Sequence, residues 1–434
     1  MRYRVGRGAR AAMLALVPAV GLAACDFEVT NPGPVEDRFL GEPAAHVGVV
    51  NGAGRDLAEA LNWTSYTGGA IAREIHPAGS TGSFGISVRQ QIGILADDDV
   101  GSHWTNSQRA RWTAEDGIRR LRESLEGDFA TSPAAAQILV WAGYANRHLG
   151  ENFCEAVIDG GAAQPNDVYL ERAEGHFTEA MQVAQAANQP ELVMAARAGR
   201  ATVRVHRGDW AGAVEDAAGV PTEFKYVMPY FGNEIDIYNR LHEAGRSQPY
   251  RAHTVWSTVN EDYYRDTQDP RVPYLIGTGT QELGDAAVNP LGRVPFYNQK
   301  KYPERNSPIN LATGREMRLI EAEAMLEGVK AGGWQGAIDI INELRTALGV
   351  PTVPAVTASN ATEAWTRLKR ERGIELWLES RRLGDLRRWD ENNTPGDLDP
   401  LETVGNPRGL PLQQQDLCFP ISEGEKQTNP NLGG

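Results

Sequence analysis

The sequence predicts a mainly α-helical protein in which tetratricopeptide-like helix pairs carry a loop-rich inserted half. Apolar residues recur at three- and four-residue spacing through several long stretches, and a Gly-Trp-small-residue turn occurs twice between such stretches. The 46 Gly and 25 Pro are more than a helical rod tolerates, so long irregular loops must interrupt the regular structure. With 434 residues, 41% hydrophobic and 23% charged, the chain is globular and has material for a sizeable core.

In chain order, Arg2, Arg4, Arg7 and Arg10 precede an apolar stretch from Ala11 to Ala24 that is too short to span a bilayer and reads as a secretory signal. It ends in Leu22-Ala23-Ala24-Cys25, which resembles a bacterial lipobox. Residues 1–24 are therefore expected to be a lipoprotein signal peptide, and Cys25 the lipid-attached N-terminus of the mature chain. Acyl chains anchor because each buried CH₂ contributes about 0.8 kcal/mol and more than one chain is attached. Loss of four arginines and no acid takes the formal charge from −14 to −18, an acidic balance that argues against a nucleic-acid partner. No other run approaches the ~20 apolar residues of a membrane-spanning helix. Beyond Cys25 only Cys154 and Cys418 remain, so one disulfide is possible in an exported compartment; the alternative is two separately buried thiols. Two Cys without paired His give no zinc site.

The helical scaffold is expected at about 105–220 and 311–392, with loop-rich regions at about 60–104, 221–310 and 393–434. Ile138, Trp141, Ala142, Ala145 and Leu149 share one helical face, as do Leu170, Ala173, Phe177, Ala180 and Val183. Gly208-Asp209-Trp210-Ala211-Gly212-Ala213-Val214 is echoed by Gly332-Gly333-Trp334-Gln335-Gly336-Ala337-Ile338, each marking a tight turn between packed helices. The insertion at 221–310 holds 13 of the 33 aromatic residues between Phe224 and Tyr302. A further helix begins at Asn360-Ala361-Thr362-Glu363, which has the spacing of a capping box, and runs on to Trp389. On it Glu371, Glu375 and Glu379 share a face and need cations, for which Arg372, Arg382 and Arg388 are the expected partners in a structural charge network.

These residues resemble the SusD/RagB outer-membrane lipoproteins. Cys25-Asp26-Phe27-Glu28-Val29-Thr30-Asn31-Pro32 is similar to the family's mature N-terminus. Arg318-Leu319-Ile320-Glu321-Ala322-Glu323-Ala324, with Ala337 to Arg345 after it, resembles its central signature. Glu371 to Trp389 resembles its signature helix, and Phe419-Pro420-Ile421 with Asn429-Pro430-Asn431-Leu432 its closing motif. Ser380 stands where the family has Gly, and Ser422 where it has a second Pro. The resemblance implies a single SusD-like domain over residues 25–434, lipid-anchored in the cell outer membrane and facing the exterior. Its implied partner is a SusC-like TonB-dependent β-barrel, and its implied ligand an oligosaccharide or a peptide.

Sugars stack their apolar faces on Trp and Tyr rings, while their hydroxyls demand polar groups at the rim. In the loop-rich regions the candidates are Trp63, Tyr66, Trp104, Trp256, Tyr263 and Tyr264, with Asn62, Arg73, Asp98 and Asn260 as polar neighbours. No zinc-protease, nucleophile-elbow, phosphate-loop or dinucleotide motif occurs, so no catalytic residue, metal or cofactor is expected. The competing readings are a tetratricopeptide scaffold lipoprotein of envelope assembly and a helical glycosidase, whose two carboxylates need no local motif.

Overall fold

The computed structural model describes residues 37–79, 86–233, 237–246 and 250–432. The signal peptide and Cys25 lie outside these residues.

The described helices are α1 (His46–Ile71), α2 (Val88–Gln91), α3 (Gly101–Leu125), α4 (Pro133–Asn152), α5 (Asp167–Ala186), α6 (Pro190–His206), α7 (Trp210–Ala218), α8 (Arg240–Arg246) and α9 (Val259–Thr267). After the insertion come α10 (Gly314–Leu326), α11 (Gly333–Thr346), α12 (Ala361–Glu375), α13 (Arg382–Glu391) and α14 (Glu423–Thr428). Each long helix packs on the next: α1 on α3, α3 on α4, α4 on α5, α5 on α6, α6 on α7, α7 on α10 and α10 on α11. Side-chain size sets these contacts. A Cβ on Gly143 of α4 or Gly199 of α6 would lie 2.5 or 2.4 Å from the ring of Phe177 on α5, so Phe177 fills a slot that only glycines leave open.

Strands are short and pair two by two. They are β1 (His76–Pro77) with β5 (His253–Thr254), β2 (Glu155–Ala156) with β3 (Gln164–Pro165), β4 (Lys225–Met228) with β8 (Ile309–Thr313), and β6 (Tyr274–Ile276) with β7 (Tyr297–Gln299), all antiparallel.

Two sequence expectations are corrected here. Residues 60–71 and 101–104, placed in a loop-rich region, lie on α1 and α3. Between Ala53 and Ile71 α1 is buried on nearly every side by small residues, so it lacks the amphipathic stripe that marks a surface helix. The expected helix through Trp389 breaks after Glu375. Leu378 and Ser380 take φ of 59° and 60°, and α13 restarts at Arg382. At Asn360 half of the expected capping box forms: its Oδ1 accepts from Glu363 N, but Glu363 Oε2 accepts from Ser359 N.

The three glutamates are neutralised, though by other partners than those expected. Arg271 from the insertion reaches Glu371 at 2.7 Å and Glu375 at 2.9 Å. Arg345 also pairs with Glu371, Arg315 with Glu375, and Lys301 with Glu379 at 2.6 Å. Arg372, Arg382 and Arg388 point the other way, to Asp385, Glu402 and Glu323. The insertion is thereby fastened to the scaffold at two basic residues, Arg271 and Lys301. Cys154 and Cys418 are disulfide-bonded with Cα atoms 5.1 Å apart, where Phe153 and Phe419 form a parallel bridge. This joins the end of α4 to the C-terminal tail.

Candidate ligand site

Three tyrosines of the insertion, Tyr264, Tyr274 and Tyr297, come together on one face, and a small backbone device sits beside them. Thr254 Oγ1 accepts from Trp256 N at 3.1 Å and from Tyr297 N at 2.7 Å, which sets the two residues side by side. Val255 N donates to Tyr297 O, continuing the link. Ser257 then turns the chain at φ 59° into α9, whose first turn is capped by Thr258 Oγ1 and by Glu261 Oε2 accepting from Ser257 N.

In the β6–β7 ribbon Tyr274 faces Gln299 and Ile276 faces Tyr297, so Tyr274 and Tyr297 are diagonal neighbours on one face. Their rings stack with centroids 5.5 Å apart and planes 4° apart. Tyr264, on the outer face of α9, leans on Tyr274 at 5.0 Å. The result is a run of three tyrosine rings; Trp256 adjoins Tyr297 through the backbone and sets its own ring edge-on to His76 at 5.2 Å. Tyr264, Tyr297 and Trp256 are half-buried, while Tyr274 is buried beneath them. Tyr274 donates its hydroxyl to Glu261 O, and burial together with the Glu261 carboxylate pushes its pKa up to about 12, so it remains a neutral donor.

The rim is polar and rich in acceptors. Arg265 holds Asp262 at 2.6 Å and Asp266 at 3.0 Å, and Arg408 holds Asp262 at 3.3 Å and Glu261 at 3.7 Å. A half-buried aromatic floor with paired carboxylates and guanidinium groups at its edge offers what a pyranose needs: a flat apolar surface, donors and acceptors.

Of the residues expected at a ligand site, Tyr264 reaches this face, and Trp256 adjoins it through the backbone beside Tyr297. Tyr263 is next to it but turned inward, its hydroxyl on Asp269 and its ring under Arg370. Trp63 lies on α1, half-buried, its indole N–H on Glu59 and its face 3.7 Å from the Arg240 guanidinium. Tyr66 and Trp104 are corrected to packing residues, 1% and 2% exposed. Tyr66 packs against His253, and Trp104 lies under the C-terminal tail, bonded to Glu425 and edge-on to Phe153. Asn62 bridges to Tyr238 O and Arg240 N, Asn260 accepts from Arg370, and Arg73 is buried with its guanidinium on the carbonyls of Ala70, Gln91 and Leu410. Asp98 is exposed and paired with Arg89. Tyr274 and Tyr297 are the residues the sequence reading missed; their only signal was membership of the aromatic-rich insertion.

Among the described residues, no helix is long and apolar enough to cross a membrane. No curated protein matches the sequence. Residues 315–432, which carry α10 to α14, match the model of the SusD family. The fold is shared with solved structures. A SusD/RagB family protein from Bacteroides thetaiotaomicron superposes with a TM-score of 0.64 at 11% identity, over 87% of this chain and 94% of that one. A SusD superfamily protein from Bacteroides vulgatus gives 0.61 at 15% identity, over 90% and 97%. A structure described as a SusD-like carbohydrate binding protein, also from Bacteroides vulgatus, gives 0.59 at 15% identity, over 90% and 97%. The C-terminal signature over residues 315–432 thus matches the SusD family, and the fold along most of the chain is the one these SusD-like structures share.

Proposed function

We propose that the protein is a lipid-anchored outer-membrane protein, facing the exterior, that binds a glycan fragment and delivers it to a SusC-like TonB-dependent β-barrel without turning it over. The observation that carries the ligand reading is the tyrosine run Tyr264–Tyr274–Tyr297 beside Trp256, edged by Glu261, Asp262, Arg265 and Arg408. The match of residues 315–432 to the SusD family supports nutrient uptake as its setting, and one solved structure of the same fold is described as carbohydrate binding. The rim sets three carboxylates, Glu261, Asp262 and Asp266, against two guanidinium groups, Arg265 and Arg408, and this small acidic excess favours neutral over anionic glycans. The test is a glycan array on residues 26–434 with product analysis of any oligosaccharide that binds, and affinity purification from membranes. Binding of a neutral oligosaccharide recovered intact, with a β-barrel co-purifying, is the expected result. Hydrolysis products, or the absence of both ligand and barrel, would sink the reading.

A further inference from the structure

The C-terminal segment reaches the candidate ligand face as a closed loop. Gly405 N donates to Leu412 O, Leu412 N to Asn406 Oδ1 and Asn406 Nδ2 to Arg408 O, so residues 404–412 support their own turn. Gly409 and Leu410 press this loop against the chain around Trp256. A Cβ at Gly409, whose φ is 65°, would fall 2.5 Å from His76 Nε2 and 2.6 Å from Ser257 Oγ. Leu410 is buried with Ala78, Val288 and Val294, and Trp256 packs on the same cluster.

One side chain ties the loop to the tyrosine side. His76 pairs in register with Thr254, whose hydroxyl aligns Trp256 with Tyr297. Its Nδ1 is 2.6 Å from Pro77 O and its Nε2 is 2.9 Å from Leu410 N. A carbonyl accepts and a backbone N–H donates, so these two partners assign the neutral tautomer with its proton on Nδ1. Burial, helped by the Arg73 charge, pushes the His76 pKa down to about 3, which keeps the ring neutral.

The loop carries Arg408 to the rim, where it differs from Arg265. Arg265 donates to Asp262 at 2.6 Å and to Asp266 at 3.0 Å, so its donors are engaged. Arg408 approaches Asp262 at 3.3 Å and Glu261 at 3.7 Å, is 39% exposed, and makes no side-chain hydrogen bond among the described residues. Its charge is held near the carboxylates while its fork of N–H groups stays open, and paired donors match the neighbouring oxygens of a sugar.

We propose that Arg408 is the glycan-contacting donor of this face and that His76 is the positioning residue that holds it there, acting through Leu410 and the 404–412 loop. This rests on the glycan reading of the tyrosine run.

The test titrates residues 26–434 with maltotriose, cellotriose, xylotriose and mannotriose by calorimetry and carries the tightest binder through the variants. Arg408→Ala should weaken it about tenfold, and Arg408→Lys several-fold, because a point charge does not reproduce the fork. His76→Leu should weaken it about fivefold. His76→Gln, whose amide oxygen can accept from Leu410 N, should recover most of that loss, although both variants lose the ring contact with Trp256. Hydrogen exchange at Leu410 N should speed up in His76→Leu and much less in His76→Gln. Combining His76→Leu with Arg408→Ala should weaken binding no further than Arg408→Ala alone. If His76→Leu does not fold, Gly409→Ala displaces the loop from the same ring and should give the same loss. Undiminished affinity in Arg408→Ala, or losses that add in the double variant, would overturn the proposal and leave the glycan reading standing where Tyr297→Ala still weakens binding. If none of the four trisaccharides binds, or Tyr297→Ala binds as the parent does, the glycan reading falls and this assignment falls with it.

Discussion

Arg271 is the residue whose loss should separate insertion from scaffold. Its guanidinium serves Asp269, Glu371 and Glu375 at 2.7, 2.7 and 2.9 Å, and all four side chains are at most 9% exposed. In Arg271→Gln the carboxylates keep part of their support: Glu371 retains Arg345, Glu375 retains Arg315, and Asp269 retains the Tyr263 hydroxyl. Breaking a buried pair costs about 3–5 kcal/mol, and the remaining partners put this site at the low end, about 3 kcal/mol. Burial pushes the Glu375 carboxyl up, but Arg271 and Arg315 together outweigh it and hold it below the usual carboxylate range. Part of that hold is lost in the variant. The assay is urea unfolding followed by tryptophan fluorescence and far-UV circular dichroism. If the insertion comes loose first, the fluorescence contributed by Trp256, the one tryptophan of residues 221–310, changes at lower urea than the far-UV signal of the helices. A double-mutant cycle with Glu375→Gln should return a coupling of about 1–3 kcal/mol. A loss below about 1 kcal/mol, with coincident transitions and no coupling, would refute the view that this cluster fastens the ligand face.

Three further outcomes are expected. At Ser380, φ is 60° and Oγ is 2.9 Å from the Thr64 hydroxyl; Ser380→Gly relieves a left-handed strain of about 1 kcal/mol while losing a bond of similar worth, whereas Ser380→Ala loses the bond and keeps the strain. The Gly variant should therefore melt above the Ala variant. Cys418→Ser opens a closure spanning 264 residues and should destabilise by about 2–4 kcal/mol, read in denaturant with and without reductant. Glu74 is buried with its pKa pushed up to about 8, against the lowering pull of the Leu378 N–H, Arg382 and Lys301. A raised folded pKa gives stability that is complete below the unfolded value near 4.5 and is lost as pH rises through about 8. Glu74→Gln should flatten that fall, measured as unfolding free energy between pH 5 and 9; an unchanged slope would count against a buried protonated Glu74.

The helices on which most of this rests were legible where one face is apolar and the other polar. The Ile138–Leu149 and Leu170–Val183 stripes became α4 and α5, and the turns before Trp210 and Trp334 became the starts of α7 and α11. Full burial hid α1, because a helix of Ala, Gly, Ser and Thr enclosed by others carries no two-faced pattern. The break at Leu378 to Ser380 was hidden for the opposite reason: its residues continue a helical periodicity that tertiary bonds from Lys301, Asn310 and Tyr302 override. Ser380 takes its left-handed φ of 60° without being a glycine, so no local cue marks the break. The candidate ligand face was legible as a region but not as a set, since Tyr274 and Tyr297 meet through two three-residue strands and aromatic content cannot distinguish half-buried Trp256 from Tyr66 in the core.

The central claim is that the tyrosine run and Trp256 bind a neutral glycan. Isothermal titration of residues 26–434, and of Trp256→Ala and Tyr297→Ala, with an array-identified oligosaccharide tests it most directly. The account predicts micromolar to millimolar binding to the parent, at least about tenfold weaker in each variant, since a stacking ring contributes about 0.5–1.5 kcal/mol beyond the area it covers, with melting temperatures little changed. Undiminished affinity in both variants would contradict it.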